Sequence, residues 1–331
     1  MKSSYKPPFS ISPKAINLIA GIAAQIERYA IRMEQEDGLL LRKINRIKTI
    51  HGSLAIEGNT LSESLITDII EGKSVVAPLR EIQEVKNAIK TYDAFSSLNP
   101  FKVDDLLKAH GLMMEALVDD AGHFRRRGVG VFSGSKAVHV APPAANVLHL
   151  MNDLFDWLKK SEDHLLIKSC VFHYEFEFIH PFIDGNGRLG RLWQSLILSK
   201  LHPIFEHLPV ENTVFQNQQQ YYDAISQSTK ATDCRPFIEF MLEEILTTLK
   251  KRQGEPLKRE SDGTVIGTVN GTASDTVKLI KANQRITIDE LALKLNKSRR
   301  TITRIIKNLQ EDGLVSRIGS DKTGHWQGKD E

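Results

Sequence analysis

Residues 180–191 read HPFIDGNGRLGR and combine side chains that can bind and react with a phosphorylated ligand. A glycine-rich turn here precedes a segment with helical spacing, and such a turn exposes backbone N–H groups where the helix dipole is positive. Arg188 and Arg191 are three residues apart, so they share one helix face and can both reach phosphate oxygens. The turn consists of Gly185, Asn186 and Gly187. This pattern predicts a phosphate-binding site at the start of the helix.

Two further side chains of this stretch are suited to phosphoryl chemistry. Asp184 offers a hard carboxylate oxygen for Mg²⁺ that bridges phosphates. His180 ends the preceding helix, where it can take a proton from a hydroxyl nucleophile. The alternative is an ordinary polar turn between two helices. The density of specified residues favours a site for transfer from a nucleoside triphosphate.

The stretch resembles the Fic motif, HxFx[DE]GNGRxxR, at every specified position. Fic proteins are helical, and most of them transfer AMP from ATP to a hydroxyl group of a target protein. The resemblance implies that His180 deprotonates the target hydroxyl and that Asp184 binds Mg²⁺. It also implies that the glycine-rich turn lines an anion hole for the α- and β-phosphates, while Arg188 and Arg191 grip the phosphate chain. In the related Doc branch a lysine replaces the second motif glycine and the last arginine is missing, so Gly187 and Arg191 favour AMP transfer over kinase chemistry.

The upstream segment 53–59, SLAIEGN, resembles the [ST]xxxE[GN] inhibitory motif of Fic proteins. A glutamate beside Arg191 is expected to form a bidentate ion pair and to occupy the position of the ATP γ-phosphate. The motif residues are Ser53, Glu57 and Gly58, and their place before the core implies an inhibitory N-terminal helix. The alternative is a helix end with Gly58 as the residue after the cap and Glu57 in solvent.

Residues 126–142, RRGVGVFSGSKAVHVAP, alternate in a way that predicts a β-hairpin within a helical domain. The hairpin resembles the flap of Fic proteins, which docks a target segment by β-strand addition. The expected docking residues are Gly128, Val129, Gly130, Val131, Ala137, Val138 and His139. A purely structural hairpin is the alternative.

Tyr221 and Tyr222 follow a glutamine run on a predicted helix. In similar proteins an aromatic residue of this region packs near the adenine of ATP. Packing in the protein core is the alternative for both tyrosines.

The remaining sequence predicts the elements that position these residues. Most of the chain has helical spacing of apolar residues, so the expected class is mainly α. The resemblance implies a Fic-type helical bundle with a β-hairpin flap, and the C-terminal pattern predicts a winged helix-turn-helix. The expected domains are an N-terminal helical region with the inhibitory motif, the catalytic core, a linker and the winged helix-turn-helix. Their ranges are 1–100, 101–253, 254–274 and 275–331.

The C-terminal region is basic and resembles a winged helix-turn-helix. Residues 251–331 hold sixteen lysines and arginines against eleven acidic residues, while the rest of the chain is slightly acidic. The third predicted helix places Ile302, Ile305, Ile306 and Leu309 on a buried stripe. DNA contact through this helix is one expectation, and a protein-interaction module or a solvated face are the alternatives. The candidate DNA contacts are Arg299, Arg300 and Arg304.

Whole-chain composition limits the classes of protein. The chain has 331 residues, 41% hydrophobic and 26% charged, with only two distant cysteines. This favours a protein of the reducing cytoplasm without a disulfide framework. We expect no signal peptide and no membrane span, because no apolar run approaches the ~20 residues that a span requires.

These patterns favour three hypotheses about the function. The first is an autoinhibited protein adenylyltransferase that uses ATP and Mg²⁺ to modify an unidentified target protein or itself. The second is a DNA-binding regulator whose Fic core acts as an ATP-sensing or self-modifying switch. The third is removal of AMP from a modified target. A homodimer is one possible oligomeric state.

Overall fold

The computed structural model of this chain describes residues 5–35, 38–133, 136–254, 276–277, 279–281, 283–295, 299–311, 315–318 and 325–328. The chain divides into two compact units, Met1–Lys258 and Arg259–Glu331. The described residues are mainly helical, so the predicted fold class is confirmed. The predicted linker, apart from Gly254, lies outside the described residues.

The described part of the first unit contains eleven α-helices, two short 3₁₀ helices and one β-hairpin. The helices before the hairpin are α1 (Pro13–Gln35), α2 (Gly38–Ile56), α3 (Glu63–Ile70), α4 (Leu79–Asp93) and α5 (Val103–Met113). Those after it are α6 (Ala144–Lys160), α7 (Leu165–Ile179), α8 (Asn186–Leu198), α9 (Val210–Gln216), α10 (Gln218–Ala231) and α11 (Arg235–Gly254). The 3₁₀ helices are Phe95–Ser97 and Pro203–Glu206.

Helices α7 and α8 form the centre of this unit. The sequence of α7 is apolar on all sides, which is the pattern of a helix surrounded by protein, and nearly all of its residues are buried. Helix α8 packs against it and buries every residue after its first turn. One hydrophobic core continues from α1 to α11, so the predicted regions 1–100 and 101–253 share it.

Helix α2 carries the candidate inhibitory segment and packs against α9. It ends at Ile56, where Gly58 adopts a φ of 91°. The Ser62 hydroxyl caps the start of the next helix, because it accepts a hydrogen bond from the Leu65 N–H at 3.3 Å. Glu57 therefore directly follows the last residue of α2.

The hairpin consists of β1 (Gly130–Ser133) and β2 (Lys136–Val140), paired antiparallel with an irregularity between Val131 and Phe132. The predicted hairpin is thus confirmed in its backbone. The side chains of residues 130–140 lie outside the described part of the chain.

The second unit contains α12 (Ile288–Lys294), α13 (Arg299–Glu311), β3 (Val315–Ile318) and β4 (His325–Gly328), with further helical residues at 276–277 and 279–281. Thr287 and Glu290 form a capping box at the start of α12. The predicted stripe of α13 is confirmed, since Ile302, Ile305, Ile306 and Leu309 are buried in the small core around Trp326. This arrangement matches the predicted winged helix-turn-helix.

Candidate active site

The loop between α7 and α8 is held in shape by its own motif residues. His180 directly follows the last residue of α7 and adopts the left-handed conformation, with φ 49° and ψ 62°. The Asn186 side chain accepts a hydrogen bond from the Phe182 N–H at 2.9 Å and donates one to the Phe182 carbonyl at 3.0 Å. Asn186 is therefore occupied in closing the loop, and its backbone N–H is the group that it can offer to an anion.

Gly185 permits the turn into α8 for two independent reasons. Its φ of 84° lies in the region that favours glycine. A Cβ atom at this position would also lie 2.6 Å from the sulfur of Met114. The glycine-rich turn precedes the helix as the sequence predicts.

His110 supports this loop from α5. Its ring stacks on Phe182 with centroids 3.7 Å apart, and the Gly122 N–H donates to Nδ1 at 2.8 Å. Nε2 therefore carries the proton and donates to the Asp184 carbonyl at 3.0 Å. Burial lowers the pKa of His110 to about 4, so the ring is neutral and serves as a fixed support.

Asp184 and Arg188 form an ion pair at the mouth of the site. Oδ1 of Asp184 lies 2.9 Å from Nη2 of Arg188, and its Oδ2 lies 3.3 Å from Nη2 of Arg80. Glu84 approaches Arg188 from α4, with Oε1 3.7 Å from Nη1. The Arg188 side chain is buried, and its Nε has no hydrogen-bond partner among the described residues. Charged groups from α4 thus complete a site that the motif alone defines only in part.

The surroundings of Asp184 fit the predicted role in binding Mg²⁺. Its side chain is 36% exposed, so a hydrated ion can approach it. No cluster of three or more histidine, cysteine or acidic side chains that could hold a metal occurs in the described part of the chain. Mg²⁺ is commonly bound by one or two carboxylates together with substrate phosphates and water. Asp184 alone therefore suits an ion that binds together with a nucleotide.

Arg191 is held by the candidate inhibitory segment. Its Nη2 lies 2.8 Å from Oε1 of Glu57 and donates to the Ser53 carbonyl at 2.9 Å, while Nε lies 3.4 Å from the Ser53 hydroxyl. The Arg191 side chain is 2% exposed, whereas that of Glu57 is 32% exposed. The expected bidentate pair is wrong in this detail, because Glu57 is contacted through Nη2 alone and Ser53 takes the other contacts. Burial lowers the pKa of Arg191, but Glu57, Tyr221 and Glu177 together outweigh this effect, and the net pKa lies above the ordinary value.

The Glu57 carboxylate also lies against the glycine-rich turn. A Cβ atom on Gly187 would overlap Oε1 of Glu57 and would lie 3.2 Å from its Cδ. The carboxylate therefore occupies space next to both Gly187 and Arg191, two of the residues predicted to bind phosphates. The sequence places Glu57 and Arg191 134 positions apart, and the structure brings them together.

Two acidic residues lie near Arg191, and neither belongs to the two sequence motifs. Burial raises the pKa of Glu177 on α7 to about 8, although Arg191 opposes the shift, and its Oε1 makes no hydrogen bond within the described residues. Burial likewise raises the pKa of Glu211 on α9 to about 7, and its Oε1 lies 3.3 Å from the Ser195 hydroxyl. The approach of Arg191 to residues from three other helices leaves no signal in any local sequence pattern.

The two tyrosines have different surroundings. Tyr221 is buried, and its hydroxyl lies 3.2 Å from Nε2 of His173, so it packs in the core. Tyr222 is 45% exposed and accepts a hydrogen bond from Gln218 at 3.4 Å. Gln218 also donates to the Ile56 carbonyl beside Glu57 at 2.9 Å. The adenine role stays a prediction, and Tyr222 is the tyrosine with a surface available for it.

The predicted docking residues of the flap and the predicted DNA contacts are described only in part. Gly128 is exposed and Val129 is half-buried, and both precede β1. The side chains of Gly130, Val131, Ala137, Val138 and His139 lie outside the described residues, as do those of Arg300 and Arg304. Arg299 is exposed and forms an ion pair with Asp289 of α12. None of these roles is tested by the contacts.

Two family models match this chain. A model of the Fic/DOC family matches residues 100–198, and a model described as winged helix-turn-helix DNA-binding matches residues 272–316. No helix of the described residues is both long and apolar enough to cross a membrane.

Solved structures resemble the chain over most of its length. A Fic family protein from Desulfovibrio desulfuricans is 39% identical, covers 99% of both chains and has a TM-score of 0.71. Fic-1 from Caenorhabditis elegans, at 21% identity, covers 72% of both chains with a TM-score of 0.61, and at this identity it shows the fold alone.

A curated relative has a named activity. The protein adenylyltransferase Fic of Nematostella vectensis is 31% identical over 204 residues, which are 58% of this chain and 45% of that protein. The chain thus spans less than half the length of this relative.

Proposed function

This chain belongs to the Fic family, and on that basis we propose that it is a protein adenylyltransferase whose activity Glu57 restrains. The named activity of the curated relatives and the complete motif support AMP transfer. The observation that carries the restraint is the 2.8 Å contact between Oε1 of Glu57 and Nη2 of Arg191.

The proposed chemistry uses the motif residues in distinct roles. The oxygen of a target serine, threonine or tyrosine attacks the α-phosphorus of ATP, and His180 takes the proton of that hydroxyl group. The bond from the α-phosphorus to the bridging oxygen breaks, and pyrophosphate leaves. The backbone N–H groups at the start of α8 and the guanidinium groups of Arg188 and Arg191 stabilise the charge on the phosphates. Positioning and charge neutralisation therefore provide most of the proposed catalysis.

Asp184 would hold Mg²⁺, and the ion would neutralise phosphate charge during transfer. Arg80 and Arg188 provide the positive charge that faces this carboxylate. Arg80 extends the site to α4, which places part of the phosphate-binding electrostatics in the N-terminal helices.

The restraint follows from competition for one guanidinium group. Arg191 can satisfy either the Glu57 carboxylate or a phosphate oxygen, because Nη2 is already shared with the Ser53 carbonyl. The position of Glu57 against Gly187 adds steric and like-charge repulsion for a γ-phosphate. ATP bound under these conditions is expected to place its α-phosphate poorly for attack. Removing the carboxylate should therefore raise transfer without any change in His180.

The second unit supports an additional role in DNA binding. Its match to a winged helix-turn-helix DNA-binding model and its basic composition favour an interaction with duplex DNA. The adenylyltransferase would then act near DNA, or its own modification would regulate DNA binding.

The experiment that tests the catalytic proposal is AMP transfer from labelled ATP in a cell lysate containing Mg²⁺. We expect little labelling by the wild-type chain, strong labelling by Glu57→Gly and none by Glu57→Gly with His180→Ala. The exposed residue Glu162 provides a matched control, and Glu162→Gly should label like the wild type.

Each arm has an outcome that contradicts one part of the proposal. Equal labelling by wild type and Glu57→Gly contradicts the restraint. Full labelling by the His180→Ala double variant contradicts the role of His180 as base. Label on the chain alone would favour the self-modifying switch over a separate target.

A further inference from the structure

Arg125 is a buried arginine located just before the hairpin, and the proposed chemistry assigns it no role. It is 2% exposed, and no ion pair with a carboxylate is found for it within the described residues. Burial lowers its pKa, and no neighbouring acid opposes the effect. A buried guanidinium group without an acidic partner needs another source of stabilisation.

Backbone carbonyl groups supply that stabilisation. Nε of Arg125 donates to the His180 carbonyl at 2.7 Å, and Nη2 donates to the Ile179 carbonyl at 3.2 Å. These carbonyls lie at the C-terminal end of α7, where the helix has no internal donors for them and its dipole is negative. Arg125 therefore neutralises the end of the helix that leads into His180.

The same guanidinium group binds both ends of the hairpin. Nη1 donates to the Arg127 carbonyl at 2.9 Å, and Nη2 donates to the Pro142 carbonyl at 2.5 Å. Arg127 lies three residues before β1, and Pro142 lies two residues after β2. The chain segments at Arg127 and Pro142 are the two arms of the flap. One side chain thus joins both arms to the start of the active-site loop.

The backbone of Arg125 completes the connection. Its N–H donates to the Pro181 carbonyl at 2.9 Å, directly after His180. His180 has a left-handed backbone, which an ordinary side chain adopts only when its surroundings enforce it. The contacts of Arg125 with residues 179, 180 and 181 provide part of that enforcement.

We infer that Arg125 is a positioning residue that fixes the backbone of His180 and sets the flap in register with it. This inference rests on the proposed function and on the expectation from the sequence that the flap docks the target segment. Arg125 touches neither ATP nor the target in this scheme. Its loss should impair the alignment of hydroxyl group and base while sparing the phosphate-binding residues.

The test uses the full chain with Glu57→Gly, so that restraint by Glu57 does not mask the effect. Arg125→Lys keeps the charge but cannot reproduce the fork of four hydrogen bonds, because an ammonium group lacks the planar geometry. The matched control is Arg126→Lys, the same substitution at the adjacent exposed arginine. The readouts are the initial rate of AMP transfer, the Kd for ATP, and hydrogen exchange of the flap arms and of residues 177–184.

We expect Arg125→Lys to lower the transfer rate on the order of tenfold to a hundredfold, as for a misplaced reacting group. The Kd for ATP should change less than about twofold, because no contact of the phosphate site is removed. Hydrogen exchange should accelerate in the flap arms and in residues 177–184 together. Arg126→Lys should change none of these readouts.

Arg125→Ala provides a second and stronger variant, with added guanidinium ion as a rescue. Restoration of transfer by low concentrations of guanidinium ion supports a positional role of the planar group, whereas a globally misfolded chain would not recover. An exchange effect confined to one of the two segments contradicts the inference. A transfer rate and an affinity for ATP that fall together also contradict it.

Different measurements test this inference and the proposed function. If Glu57→Gly with native Arg125 transfers no AMP, the proposed function fails. The exchange measurement still decides whether Arg125 couples the flap to residues 177–184.

Discussion

Glu57 holds Arg191 through a single hydrogen bond while about a third of its own side chain stays exposed, at 32%. The Arg191 side chain is buried, at 2% exposure, but the Glu57 side of the pair is open to solvent. A ligand or partner can therefore approach the carboxylate and shift the equilibrium between the restrained and released states. The exposure of the Glu57 carboxylate therefore makes the proposed restraint reversible.

Gly185→Ala tests the requirement for glycine at the turn into α8. The φ of 84° and the approach of the Met114 sulfur both oppose a side chain there. We expect the free energy of unfolding to fall by roughly 1–3 kcal/mol, measured by denaturant titration. Gly128→Ala is the matched control, because a Cβ atom on Gly128 would meet nothing within 4 Å and its φ lies outside the left-handed region. Equal effects of the two substitutions would refute the requirement for glycine at residue 185.

Glu177 gives the stability a pH dependence with a definite sign. Burial raises its pKa in the folded state to about 8, well above the ordinary value of 4.5 that applies to an unfolded chain. The folded state therefore binds the proton more tightly, so this contribution to stability is full below pH 4.5 and is lost as the pH rises toward 8. Glu177→Gln should lose less stability than the wild type over this interval, by about 4 kcal/mol.

The control for this prediction is Glu162→Gln, the same substitution at an exposed position. Glu211, with a pKa raised to about 7, keeps its own contribution in every variant. Denaturant titrations at several pH values measure the difference. Parallel stability curves for wild type and Glu177→Gln would show that Glu177 ionises as in an unfolded chain.

At the scale of helices, the position of Glu57 depends on the close approach of α2 to α9. A Cβ atom on Gly52 would lie 2.6 Å from the backbone nitrogen of Asn212, which cannot move as a flexible side chain can. Gly52→Ala should therefore push α2 away from α9 and cost roughly 1–3 kcal/mol of stability. Because Glu57 follows the last residue of α2, the shift should also raise AMP transfer with Glu57 intact.

Gly21→Ala is the control for the helix contact. Its added Cβ would meet only the end of the Leu246 side chain, at 3.2 Å. We expect unchanged transfer and a stability within about 1 kcal/mol of wild type, since alanine also favours the helix. If the Gly52→Ala chain is destabilised but transfers AMP at the wild-type rate, the packing of α2 does not control the restraint by Glu57.

Local sequence patterns predict part of the site, whereas the packing of helices determines the rest. Motif residues 180–191 lie within one loop and the helix after it, so local spacing is enough to predict the turn and the shared face of Arg188 and Arg191. Only a motif resemblance links Glu57 to Arg191. Arg80 contacts Asp184 across 104 residues, and Arg125 reaches His180 across 55, and no local periodicity encodes these approaches. Such contacts depend on how helices pack, which a single sequence does not specify.

At the scale of the whole molecule, the basic second unit is expected to bind duplex DNA. We predict that the full chain is retained on duplex DNA at low salt, that retention falls steeply as salt rises, and that a chain ending at Lys258 is not retained. Retention measured across a salt series tests this. Equal retention of both chains would remove the second unit as the DNA-binding element.

In the proposed function, this chain transfers AMP and Glu57 restrains the transfer. The most direct measurement compares ATP labelled in the α-phosphate with ATP labelled in the γ-phosphate, using wild type and Glu57→Gly in parallel. We predict protein labelling from the α-label only, weak with wild type and much stronger with Glu57→Gly. Labelling from the γ-phosphate would contradict AMP transfer, and equal α-labelling by the two chains would contradict the restraint by Glu57.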